Sequence, residues 1–185
     1  MEHFILTLTC QDTAGIIHAI SGGLLDVSAN VLEQAQFTDE GLNQFCLRTR
    51  FESPESDESV VRAAVVAATQ RFAPEITLRK EADRRRMMIL VSRQDHCLVD
   101  LLYRYDIGEL PVEIPMIVSN HADCAPVAER HGIPFLHLPV TPDTKAAQEA
   151  RILGLVAEHR IDTVVLARYM QVLSDHLCGV LAGRI

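Results

Sequence analysis

Four side chains in the second half of the chain can move protons near neutral pH: Asp95, His96, His121 and Asp143. Each follows a short apolar run, in the interruptions Ser92–Cys97, Ser119–His121 and Pro139–Asp143. A fourth interruption sets a charge, an aromatic ring and a thioether together: Arg168, Tyr169, Met170, Gln171, Val172, Leu173. Chemistry that needs an acid, a base and a surface to hold a substrate would be drawn from these four loops. His96 and Cys97 are not read as a metal pair, because adjacent side chains rarely converge on one ion.

The elements that must position these loops alternate. Met87–Val91, Ile114–Val118, Phe135–Leu138 and Thr163–Ala167 are apolar runs of strand length. Between them, Leu98, Leu101 and Leu102 mark one helix, Cys124–His131 another, and Ala150, Leu153 and Ala157 the face of a third, capped by Thr144. Ser174 offers an N-cap to a last helix running to Leu181. Strand–helix alternation with right-handed crossovers gives a doubly wound parallel sheet. In such sheets ligands bind beyond the carboxyl ends of the strands, where the four loops converge. The run Thr163–Ala167 reads as a strand buried on both faces; inside the sheet of a complete fold, it is expected here to present an open edge that another chain covers or that is poorly ordered.

The first half has another rhythm. Phe4, Leu6 and Leu8 alternate as a strand; Asp12 is a candidate N-cap; Ile16, Ile20, Leu24 and Val27 recur at helical spacing. From Asn30 the alternation returns, with Val31, Glu33, Ala35 and Phe37 on one side. It turns at Asp39-Glu40-Gly41 and comes back through Phe45, Leu47, Thr49 and Phe51. Ser53–Ser56 opens a second helix with Val61, Val65, Ala68 and Phe72 on one face, and Ile76 and Leu78 form a fourth strand. The order β-α-β-β-α-β is a split β-α-β sandwich with both helices on one sheet face. The fold class is therefore α/β, in two domains: residues 1–80, a charged linker 81–86 containing Arg84-Arg85-Arg86, and residues 87–185.

Composition excludes several classes. The chain has 185 residues, 48% of them apolar, and a net charge of −8, which argues against nucleic acid as a partner. No apolar stretch is long enough to span a membrane, and Met1-Glu2-His3 does not start a secretion signal. Five scattered cysteines without a C-x-x-C pair read as reduced thiols, so a cytoplasmic location is expected.

Two resemblances add to this reading. Asp12-Thr13-Ala14-Gly15-Ile16, with Asn30 opening the next strand, resembles the first loop of ACT domains. The resemblance implies pairing of two copies and a small ligand, glycine or methionine, at Asp12, Gly15 and Asn30. Asp12 would hold an amino group, helix-start N–H groups a carboxylate, and Gly15 would permit close approach. Asp12 serving only as a cap, and Gly15 only for packing, remains the alternative.

The second half resembles the formyltransferase fold. It is similar above all to the formyltetrahydrofolate deformylases, through Met88–Ser92, Ile117–His121, His131–Pro134 and Pro139–Lys145. The resemblance implies hydrolysis of 10-formyltetrahydrofolate to formate and tetrahydrofolate, feeding purine synthesis, with a folate as substrate and no cofactor or metal. It implies that Arg168–Leu173 hold the pterin ring, with core packing of Met170 and Leu173 as the alternative. The family's catalytic Asn, His and Asp are expected beyond Ile185, so none is assigned here and the chain is expected to be an incomplete, inactive piece. A glycinamide ribonucleotide formyltransferase relative is the competing enzyme, but the loop Ser92–Cys97 lacks the glycines that cradle its substrate's phosphate. A non-catalytic, ACT-led regulatory protein is the alternative from another class.

Overall fold

The computed structural model describes residues Met1–Ile185 as two compact units, Met1–Asp83 and Arg84–Ile185.

In the first unit, strands β1 (Glu2–Gln11), β2 (Asn30–Asp39), β3 (Gln44–Ser53) and β4 (Glu75–Lys80) form an antiparallel sheet in the order β2-β3-β1-β4. Helices α1 (Ile16–Asp26) and α2 (Glu58–Thr69) follow β1 and β3. Alternate strand residues Phe4, Leu6, Leu8, Phe45, Leu47 and Phe51 pack against Ile16, Ile20, Leu24, Val61 and Val65, so both helices cover one face. Phe4 stands opposite Phe51, and their rings stack with centroids 5.5 Å apart. The helices meet where Gly23 is buried: a Cβ there would lie 2.9 Å from Ala68 Cβ and 3.0 Å from the Ala64 carbonyl oxygen.

Three details differ from the reading of the sequence. Asp12 does not cap α1; the helix starts at Ile16 behind Gly15, whose φ of 97° makes the turn without a side-chain cap. Asp57, not a residue of 53–56, caps α2, accepting from the Ser59 amide at 2.8 Å. A bulge between Val31 and Glu33 breaks the alternation of β2. Val31 pairs with buried Phe51 and Glu33 with Arg50, on opposite faces, while Glu33, Ala35 and Phe37 keep the common side.

In the second unit, β5 (Arg85–Val91), β6 (Val112–Ser119), β7 (Phe135–His137) and β8 (Thr163–Ala167) form a parallel sheet ordered β7-β6-β5-β8. Helices α3 (His96–Asp106) and α4 (Ala125–Arg130) cover one face over Ile89, Val91 and Ile117. Helices α5 (Lys145–Glu158) and α6 (Asp175–Val180) lie on the other, over Met88, Leu90 and Val118. β5 is central, and Met88 through Val91 are wholly buried, as a strand between two helical layers requires.

Arg85 and Arg86, read from the sequence as linker, belong to β5. The Arg86 amide donates to Asp162 Oδ2 and its Nε to the His159 carbonyl oxygen, both at 2.7 Å, which ties the strand to the end of α5. β8 stands at the sheet edge, and Leu166 is 43% exposed instead of buried on both faces. On that outer side the Val164 amide donates to the Arg184 carbonyl oxygen at 2.7 Å. The buried face of α5 also differs. It is formed by Gln148, Glu149, Ile152, Leu155 and Val156, whereas Ala150 and Ala157 face outward. Two polar residues complete that stripe, which hid it from a pattern of apolar residues alone.

Candidate functional site

The carboxyl ends of β5, β6 and β8 meet around one hydroxyl. Ser92, the first residue after β5, is 3% exposed. Its Oγ donates to Asn120 Oδ1 at 2.7 Å and accepts the Met170 amide hydrogen at 3.0 Å. The Ser92 carbonyl oxygen in turn accepts from the Ser119 hydroxyl at 3.4 Å and the Cys124 thiol at 3.3 Å. Burial foremost, with the charges of Asp95 and Asp123, pushes the Cys124 thiol up and keeps it protonated, a donor rather than a nucleophile. Three loops are thereby fixed to one another, the first two through buried groups and the third through a part-buried one.

In front of this knot lies a cleft of about 230 Å³ lined by Ser92, Arg93, Gln94, His121, Arg168 and Met170. Arg93 Nε donates to His121 Nδ1 at 3.5 Å, and Arg168 Nε to Gln94 Oε1 at 2.5 Å. Arg168 adopts a φ of 56°, which turns the chain sharply as it leaves β8.

The loop Arg168–Leu173 alternates between inside and outside. Met170 is 66% and Val172 82% exposed, while Arg168 also faces solvent. Tyr169, expected in the binding surface, is instead 7% exposed and packs in the core with Leu177 and Leu181, joined at its edge by Leu173. Its hydroxyl accepts from Gln148 Nε2 at 2.5 Å. Burial raises the Tyr169 pKa, against the opposing effect of that hydrogen bond. Gln171 is half-buried. The outward surface is thus carried by Arg168, Met170 and Val172, and Tyr169 is an anchor beneath it.

Glu149 holds the far end of the loop. Its Oε1 accepts the Ser174 amide at 3.0 Å and its Oε2 the Ser174 hydroxyl hydrogen, while Ser174 Oγ caps α6 through the Leu177 amide at 3.2 Å. A second cleft, of about 530 Å³, opens here between Pro142, Lys145, Glu149, Leu153, Ser174 and His176. Gln148, Glu149 and Asn120 were not singled out from the sequence. Their signal was polar residues at positions where the helical stripe or the strand end demands burial.

The four expected proton-moving groups do not assemble. His121 reaches the first cleft and Asp143 lies on the exposed loop beside Pro142. Asp95 and His96 are exposed at the start of α3. No side-chain hydrogen bond joins any two of them.

In the first unit, a cleft of about 450 Å³ is lined by Asp12, Gly15, Ile16, His18, Gln36 and Thr38, among others. Asn30 does not join Asp12 and Gly15. It starts β2 at the opposite end of the sheet, pairs with Glu52, and its Nδ2 donates to Glu52 Oε1 at 3.1 Å.

Known proteins match this architecture. Residues 85–185 match the family model described as formyl transferase. A formyltetrahydrofolate deformylase of a Corynebacterium species is 37% identical over 97% of this chain and 64% of its own length. The crystal structure of formyltetrahydrofolate deformylase from Burkholderia mallei is 40% identical, with a TM-score of 0.92 over 100% of this chain and 66% of that one. A phosphoribosylglycinamide formyltransferase structure from Bacillus halodurans covers 55% of this chain and 54% of its own at 29% identity and a TM-score of 0.50. The chain thus spans about two thirds of these two deformylases, whereas the transferase likeness covers little more than half of it. With the β5–β8 sheet and its strand-end loops falling within the matched segment, the chain belongs to the formyl transferase family, and its likeness to formyltetrahydrofolate deformylases runs through both units.

Proposed function

We propose that this chain is part of a hydrolase that releases formate from 10-formyltetrahydrofolate, and that the β8–α6 loop is its folate wall. The observation that carries the reading is the deformylase likeness through both units, including the first, at a TM-score of 0.92. The loop chemistry supports it. Met170 and Val172 offer apolar surface for the faces of a flat ring, and the backbone carbonyls of residues 168–173, with amides other than those of Arg168 and Met170, offer acceptors and donors for its rim. The Ser92–Met170 bond and the Tyr169 anchor hold that surface in place. The reaction calls on no cofactor in this reading, and the setting is cytoplasmic; no helix here is long and apolar enough to cross a membrane.

The first unit is then the regulatory part, with the cleft at Asp12 and Gly15 as the place for glycine or methionine. Asn30 lies elsewhere in the same chain, so a ligand set that includes it draws it from a second copy. The exposed β2, with Phe37 64% accessible, is a surface for such pairing.

Calorimetric titration of the chain with 10-formyltetrahydrofolate and, separately, with glycinamide ribonucleotide tests this function. Saturable binding of the first alone supports it. Binding of the ribonucleotide would favour the transferase. Glycine or methionine binding with no folate binding would leave only a regulatory protein.

A further inference from the structure

Two guanidinium groups at the strand-end cleft have no acid to answer them. Arg93, between β5 and α3, and Arg168, after β8, line the same space of about 230 Å³. Each is held only through Nε, Arg93 by His121 and Arg168 by Gln94. The terminal amino groups of both therefore have no acceptor in the protein, in a chain with 25 acidic and 17 basic residues. Asp95, the carboxylate of the same loop, is exposed and hydrogen-bonds to neither arginine.

A second observation is independent of charge. Arg168 holds a φ of 56°. An L-residue in the left-handed region is strained, and the surrounding structure must hold it there. Here it directs a guanidinium across the cleft toward the loop that carries Arg93.

We propose that Arg93 and Arg168 form a subsite for a small monocarboxylate of the size of formate. The planar forks present paired N–H groups that match a carboxylate in bidentate fashion. The choice of formate rests on the deformylase reading, since hydrolysis of a formyl amide leaves that anion; the subsite rests on the two unanswered guanidiniums. Its place beside Met170 puts the anion next to the proposed folate wall, where it would be released.

The test is titration of the isotopically labelled chain with sodium formate, followed through its backbone amide resonances, with sodium chloride at equal ionic strength as control. Saturable shifts confined to Ser92–Gln94 and Arg168–Met170 are expected, with the amides of β1–β4 unmoved. Arg168→Lys keeps the charge and loses the fork, and weakens binding about tenfold. Arg93→Gln/Arg168→Gln abolishes it while β5–β8 amides keep their dispersion. Shifts no greater than with chloride, unchanged binding in the double variant, or tighter binding of phosphate than of formate would each overturn the proposal. Formate binding here in a chain that takes up no folate would leave the subsite standing and remove the deformylase reading.

Discussion

The hydroxyl of Ser92, at the end of β5, accepts the amide hydrogen of Met170, which lies on the far loop beyond β8, at 3.0 Å. The same oxygen donates to Asn120, so one buried side chain couples three strand ends. This hydroxyl gives the exposed surface of Met170 and Val172 a fixed place relative to the cleft.

Ser92→Ala removes both bonds and leaves the part-buried Met170 amide hydrogen and the buried Asn120 carboxamide oxygen without this partner. The expected loss is about 1–3 kcal/mol in urea denaturation. Hydrogen exchange at the Met170 amide is expected to accelerate more than at neighbouring β8 amides. Equal exchange in variant and wild type would show that the loop is held by other means.

Glu149→Ala strips both acceptors from Ser174 at the start of α6, at a cost of about 1.5–3 kcal/mol for hydrogen bonds to a charged group. Glu149→Gln retains an acceptor and is expected to lose less. Chemical denaturation of the two variants side by side checks the order.

Tyr169 gives a pH signature. Its pKa is raised in the fold, first by burial, so between the unfolded and folded values the native state holds the proton more tightly. The contribution is complete below the ordinary tyrosine value of about 10 and is lost as pH rises through the folded pKa. Thermal unfolding from pH 8 to 11.5 should therefore show stability falling more steeply above about pH 10 in wild type than in Tyr169→Phe. Parallel curves would mean that the hydroxyl titrates freely.

Adjacent glycines of α1 should respond with opposite signs. A Cβ at Gly22 meets nothing within 4 Å, so Gly22→Ala gains about 0.5–1 kcal/mol from helix propensity. At Gly23 the same atom would meet Ala68 and the α2 backbone, and Gly23→Ala loses about 1–3 kcal/mol through overpacking. Melting temperatures of the pair decide it.

Much of the fold was legible because local signals agreed with the final packing. Strand alternation in Phe4, Leu6 and Leu8, and the unbroken run Met88–Val91, reported half-buried and fully buried strands directly. What failed was information that lies between segments. The β2 bulge moved Val31 away from Glu33, and the sheet order put β8 at the edge, so Leu166 faces solvent where its sequence reads as core. At the site, the loop Arg168–Leu173 was legible as a break between strand and helix, but not its inward and outward alternation. Tyr169 turns inside, where Gln148, 21 residues earlier on α5, gives its hydroxyl a buried partner. Asn30 read as part of a ligand set from motif alone; the antiparallel register places it at the other end of the sheet from Asp12.

On the proposed function, the outward residues of the β8–α6 loop hold the folate ring. The most direct measurement is the Kd of 10-formyltetrahydrofolate for wild type, Val172→Asp and Tyr169→Phe. Val172 is 82% exposed, so its substitution leaves the fold intact while placing a charge against the ring. At least a tenfold weakening is expected in Val172→Asp, about 1.4 kcal/mol or more, and a smaller change in Tyr169→Phe. Equal affinity in wild type and Val172→Asp would contradict it.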